Sequence, residues 1–293
     1  DKDKEDVLFA VQNNYDFIAM SFVRNNSNIQ ELRTFLKENN AEHIKIISKI
    51  ENQEAIENLE EIIKNSDWVM VARWDLWVEV AIEKLPYYQK QIVELCTKEG
   101  KMFVIATHLL ETMIESPFPT RAEVSDIYNS VLQKADCIML SWETTTWKYP
   151  IEAVQMMTKV ATEAEKAVNH TDIDFKNGNT WKKAFPKKIA VKNAINIANQ
   201  IDAKAIIAFT EYGFTPKMAA ACKPAKFVYT FTNNPETYRF LNSLYSVTWF
   251  MLDITNDYQK NLDEAIEVLK SKNLISTWDK IVVILDKQTK TWV

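Results

Sequence analysis

A lysine and a carboxylate stand two residues apart in Lys49-Ile50-Glu51, at the end of an apolar stretch. In extended backbone, residues i and i+2 project from the same face, so the ammonium and the carboxylate converge. Arg73-Trp74-Asp75 adds a second carboxylate after the next apolar stretch, and Ala106-Thr107 and Ser141-Trp142-Glu143-Thr144 follow two more. Two carboxylates from neighbouring strands plus a lysine suit a hard cation such as Mg²⁺ held beside a phosphate. Phosphoryl transfer asks for little else: a metal, cations on the equatorial oxygens and accurate positioning. On spacing alone, the same residues also suit a strand-end salt bridge and a helix cap.

Positioning these residues requires strands that end together. Short apolar segments at 16–21, 44–48, 68–72, 102–107 and 137–141 are rich in Ile, Val, Phe or Met, as strands buried on both faces are. Between them, amphipathic patterns predict helices over 27–38, 53–64, 87–99 and 151–168, with Ser27 as an N-cap and Pro86 and Pro150 at helix starts. That alternation means parallel βα units, whose chemistry collects at the C-terminal ends of the strands. The polar stretch 169–183 breaks the periodicity and reads as a linker between a domain at 1–168 and another at 184–293. The second domain repeats the alternation, with helices expected at 188–199, 216–221, 235–244 and 262–271 and strands at 204–209, 227–231, 247–252 and 280–285. It reads as an open α/β sheet.

Composition narrows the function classes. The chain has 293 residues, a net charge of −5 and no basic stripe, which argues against nucleic-acid binding. Its apolar runs are strand-sized, far short of a membrane span. An acidic-basic opening, Asp1 to Asp6, is the opposite of a signal peptide, and the expected compartment is cytoplasmic. With no initiator Met, the chain reads as cut from something longer. Cys96, Cys137 and Cys222 are far apart and suggest no disulfide framework. Two counts are abnormal: 3 glycines, where average usage gives roughly twenty, and 9 tryptophans.

Five segments then carry a resemblance: IISKIEN at 46–52, VMVARWDLWVE at 69–79, ATHLLETMI at 106–114, PTRAEVSD at 119–126 and ADCIMLSWET at 135–144. In order and spacing they resemble the signature segments of pyruvate kinases, and SFVR at 21–24 fits the preceding strand. The resemblance implies the later βα units of a (β/α)8 TIM barrel followed by an open-sheet α/β C-terminal domain. It implies Mg²⁺-dependent (or Mn²⁺-dependent) phosphoryl transfer from phosphoenolpyruvate to ADP, giving pyruvate and ATP. Glu51 and Asp75 would then be metal ligands, and Lys49 would neutralise the phosphoryl group in flight. Thr107, with backbone N–H groups near Trp74 and Asp75, would hold the substrate carboxylate, and Ser141 would lie near the enolate's protonation path. The turn Thr210, Glu211, Tyr212, Gly213, Phe214 and Thr215 resembles the one where some members bind a phosphorylated activator, and it reads equally as an ordinary strand-to-helix turn with a Thr cap. A homotetramer is implied as well, and a K⁺ whose ligands lie upstream of Asp1.

Tryptophan departs from the family pattern in a single direction. Trp68, Trp74, Trp77, Trp142, Trp147 and Trp278 fall where the family has glycine, a residue that permits φ > 0 and close backbone approach to a ligand. One residue type replacing one other points to the codon, namely UGA written as tryptophan where the gene's own code reads glycine. The alternative is a non-catalytic relative whose pocket is filled. His108 and Phe118 also depart, standing where glutamine and arginine are usual.

Overall fold

The structure is a computed structural model describing residues 2–145, 148–168, 170 and 185–285. These fall into two compact units, one running to about residue 168 and the other covering 185–285. Among the described residues, no helix is long and apolar enough to cross a membrane.

The first unit is a parallel sheet whose strand order follows the chain, β1-β2-β3-β4-β5. After α1 (Lys2–Gln12) come β1 (Phe17–Met20), α2 (Asn26–Glu38), β2 (Lys45–Ile50), α3 (Gln53–Glu57) and α4 (Leu59–Asn65). Then follow β3 (Trp68–Ala72), α5 (Arg73–Glu79), α6 (Leu85–Glu99), β4 (Met102–Ala106), α7 (Arg121–Leu132), β5 (Cys137–Met139) and α8 (Pro150–Glu165). Each return passes through helix, so every pairing is parallel, as in a run of barrel wall. Val69, Val71, Phe103 and Ile105 from the inner strands meet Ile62 and Ile63 of α4 and Ile92 and Cys96 of α6 in one core.

Several local expectations needed correction. Burial at every position holds only for β3 and β4; β1 and β5 are half-covered, because each lies at an edge of the described sheet. The helix expected over 53–64 is two helices joined at Asn58, whose side chain donates to Arg24 O at 3.1 Å. Asn25, rather than Ser27, caps α2: its side chain accepts from Ser27 N, and Asn28 reciprocates in a capping box. Neither α5 nor α7 was expected. Thr120 and Glu123 form a capping box at the start of α7, and that T-x-x-E signal was legible in the sequence.

The second unit runs α9 (Phe185–Gln200), β6 (Ala205–Phe209), α10 (Phe214–Ala221), β7 (Val228–Thr232), α11 (Pro235–Leu241), β8 (Val247–Met251), α12 (Tyr258–Ser271) and β9 (Ile281–Ile284). Its sheet is open and parallel, in the order β8-β7-β6-β9. Ile207, Tyr229 and Phe231 pack against Ala265 and Leu269 of α12. Most of the expected linker lies outside the described residues.

Ile105 is fully buried in β4, an inner strand of the sheet. Ile105→Ala is expected to cost about 2–5 kcal/mol of unfolding free energy in urea denaturation, against less than about 0.5 kcal/mol for the exposed Val154→Ala.

Candidate active site

Because the strands are parallel, their C-terminal ends open on one side of the sheet, and a cavity of about 570 Å³ lies there. Lys49, Asp75, Thr107 and Ser141 line it together with Trp74 and Trp142. The structure therefore brings four of the expected polar residues to one cavity from the ends of four different strands.

Glu51 sits behind the cavity wall, 1% exposed. The period-two prediction holds: Lys49 and Glu51 converge, with Lys49 Nζ in an ion pair with Glu51 Oε1. The other carboxylate oxygen accepts from Phe22 N at 2.6 Å, and Phe22 adopts a left-handed backbone (φ 52°) to make that contact. Oε1 itself is buried and accepts no hydrogen bond among the described residues. Ser21 Oγ accepts from Lys49 Nζ at 2.9 Å, which anchors the ammonium to the end of β1.

Asp75 lies in the first turn of α5 and lines the cavity. This helix has no capping side chain of its own. Thr107 of the neighbouring strand end supplies one, its Oγ1 accepting from Trp74 N at 3.0 Å and donating to Ala106 O at 2.7 Å. Thr107 and His108 are both left-handed, with φ of 67° and 55°. Ser141 N donates to Glu143 Oε2 at 2.8 Å, while Glu143 Oε1 accepts from Leu110 N at 3.2 Å. That buried carboxylate thus joins the ends of β4 and β5. Ser21, Arg73, Asp126 and Glu143 were not singled out by residue type; their partners lie 28 or more residues away, except for Ser141 beside Glu143.

Tryptophan shapes this cavity. The Trp74 ring lies 4.7 Å from the His108 ring and 5.8 Å from Trp77, with Trp142 on the lining and 64% exposed. Trp68 is buried edge-on against Phe17, and its indole N–H has no hydrogen-bond partner among the described residues. Trp278 is 95% exposed. No described tryptophan has positive φ, so what these positions would ask of a glycine is space rather than backbone freedom. Trp147 lies outside the described residues.

Among the described residues, no three His, Cys, Asp or Glu side chains group as a self-sufficient metal site. Glu51 and Asp75 supply two hard carboxylates, and Oε1 of Glu51, ion-paired with Lys49 but accepting no hydrogen bond among the described residues, is the kind of acceptor a divalent cation takes.

In the second unit, the turn after β6 places Gly213 at φ 75°, where an added Cβ would meet the Phe240 ring at 3.3 Å. The Gly213 N–H donates to Thr210 Oγ1 at 2.9 Å, and Glu211 O accepts from Thr237 Oγ1 at 2.7 Å. Tyr212 is exposed, Thr215 is buried, and Phe214 opens α10.

Comparison with known proteins gives one consistent likeness. The family model "Pyruvate kinase, barrel domain" matches residues 1–154 and "Pyruvate kinase, alpha/beta domain" matches residues 188–291. The chain is 39% identical to a pyruvate kinase of Borreliella burgdorferi, over 97% of this chain and 59% of that one. It is 36% identical to the Geobacillus stearothermophilus pyruvate kinase, over 97% of this chain and 48% of that one. A crystal structure of a pyruvate kinase from Cryptosporidium parvum superposes with a TM-score of 0.88 at 34% identity, covering 97% of this chain and 59% of that one. The chain thus spans roughly half of the relatives it matches.

Burial holds the His108 imidazole below the ordinary histidine range, against an opposing pull from Glu111 at 3.7 Å. With the folded pKa depressed, the stabilising preference for the neutral ring is complete above the ordinary histidine pKa and is lost as pH falls through the lower, folded value. An NMR titration of His108 is expected to show that lowered midpoint; a midpoint at or above the ordinary value would contradict the placement of the ring.

Proposed function

This chain belongs to the pyruvate kinase family, and we propose that the protein transfers phosphoryl from phosphoenolpyruvate to ADP, giving pyruvate and ATP. In this reading residues 1–168 supply part of the catalytic barrel and residues 184–293 the C-terminal α/β domain. The observation that carries it is the cavity at the strand ends, where Lys49, Asp75, Thr107 and Ser141 meet with the buried Glu51 behind Lys49. Such a protein works in the cytoplasm as a homotetramer.

Mg²⁺ or Mn²⁺, held by Glu51 and Asp75, would supply a charge clamp for the substrate's carboxylate and phosphate oxygens. The Lys49 ammonium, kept in place by Ser21 and Glu51, neutralises charge on the phosphoryl group as it moves between oxygens. Thr107 Oγ1 and the N–H groups at the start of α5 receive the substrate carboxylate, the hydroxyl turning its hydrogen from Ala106 O towards the ligand. Ser141, on the opposite wall, stands beside the path by which the enolate gains its proton. A phosphorylated activator at the Thr210–Thr215 turn would compete with Thr210 Oγ1 for the Gly213 N–H.

A second reading has its own observation: Trp74 and Trp142 stand in the cavity where a substrate would sit. If they are real, the protein is a non-catalytic relative that keeps the fold for assembly or ligand sensing. Their behaviour speaks for glycine instead. Trp68 buries an N–H unpaired among the described residues, at a cost of about 1–3 kcal/mol, and Trp278 packs on almost nothing.

Mass spectrometry of the native protein separates the two, through the tryptic peptide that follows Arg73. Glycine at 74 and 77 is expected; two tryptophans would remove the catalytic reading. In the glycine form, Lys49→Gln is expected to lower kcat on the order of 10²–10³-fold. Phosphorylated sugars are expected to raise the melting temperature, and Gly213→Ala to abolish that rise; no shift in the unsubstituted protein would retire the activator turn.

A further inference from the structure

Arg73 is 5% exposed, and each nitrogen of its guanidinium has an assigned acceptor. Nη1 forms a bidentate pair with Asp126 of α7, at 2.8 Å to Oδ1 and 2.7 Å to Oδ2. Nε donates to Thr107 O at 3.0 Å and more weakly to Ala106 O at 3.3 Å, and Nη2 donates to Thr107 O as well. One side chain therefore grips the carbonyl of Thr107 while Thr107 Oγ1 caps the helix that Arg73 begins. The grip is reciprocal, α5 holding the end of β4 and β4 holding the start of α5.

Thr107 needs such a hold. It is β-branched and lies at φ 67°, a region costing such a residue on the order of 1–3 kcal/mol, and His108 beside it is left-handed too. Asp126 is in turn placed by the Thr120–Glu123 capping box, and Glu123 Oε1 also accepts from Thr112 N at 2.7 Å, which ties α7 to the segment after Thr107.

We infer that Arg73 is the positioning residue for Thr107: held by Asp126, its guanidinium keeps the Thr107 hydroxyl aimed at one carboxylate of the ligand. It touches no reacting atom itself. Lysine cannot replace it, since a single ammonium cannot serve Asp126 and the Thr107 carbonyl with a planar fork. The inference rests on the catalytic reading only for its kinetic consequence; the clamp itself is a statement about local order.

The test uses the complete protein with Arg73→Lys, Asp126→Asn, Thr107→Val and the double variant Arg73→Lys/Thr107→Val. Arg73→Lys is expected to raise KM for phosphoenolpyruvate on the order of 10–100-fold while leaving KM for ADP unchanged, with Asp126→Asn intermediate. The double variant is expected to be no worse than Thr107→Val alone, because both changes remove one interaction. Amide exchange should quicken in Arg73→Lys only around residues 74–84 and 106–110, with the second unit unaffected. Multiplying effects in the double variant, equal losses for both substrates, or exchange quickened throughout the chain would overturn the inference. If the unsubstituted protein shows no turnover, the catalytic reading fails, and local amide exchange in Asp126→Asn and Arg73→Lys still decides the clamp: no quickening at 106–110 overturns it.

Discussion

The hydrogen-bond register between neighbouring parallel strands places everything at this site. Ala72 pairs with Ala106, and Ala106 pairs with Met139, so the chain leaves β3, β4 and β5 at nearly one level. Arg73 and Thr107, each the first residue past its strand, emerge side by side for that reason. Ile50 pairs with Val71, which brings Glu51 level with the end of β3. A slip of one residue in the β2–β3 ladder would turn Lys49 into the core and Ile50 towards solvent, so apolar burial enforces the register of the strand ends. Val71, Ile105 and Ile50, all fully buried, are what hold it.

Charge at the strand ends is arranged to leave few carboxylates alone. Glu51 has Lys49 and a backbone N–H, Asp126 has Arg73, and Glu143 accepts from two backbone N–H groups. Removing water from a carboxylate costs several kcal/mol, and each of these partners offsets part of it. Asp75 is different, standing in the open wall of the cavity. The buried pairs build the frame, and the half-buried Asp75 carboxylate lines the cavity with Lys49 and Thr107.

Tryptophan works against that frame. Trp74 and Trp77 crowd His108, while Trp142 occupies the facing wall. The backbone beneath them is ordinary, so the fold accepts these side chains with its strand and helix order intact. What they remove is room. The same residues that leave the sheet unchanged narrow the cavity that Lys49, Thr107 and Ser141 line.

By itself, the sequence determined the alternation of strands and helices, the two-residue convergence of Lys49 and Glu51, and the ordered motifs that mark the family. These are local signals, carried by period-two and 3.6-residue patterns that a short window contains. Helix α5 was not legible, because seven residues of RWDLWVE have no cap of their own and depend on Thr107, some 33 positions away, for one. The T-x-x-E box of α7 was legible and missed. The grip of Arg73 on Asp126, 53 positions on, and of Glu143 on Leu110, 33 positions back, exists only once the strands are in register. Only the tertiary structure decided those partners, since a hydrogen bond between distant residues is set by which strand ends the core brings level.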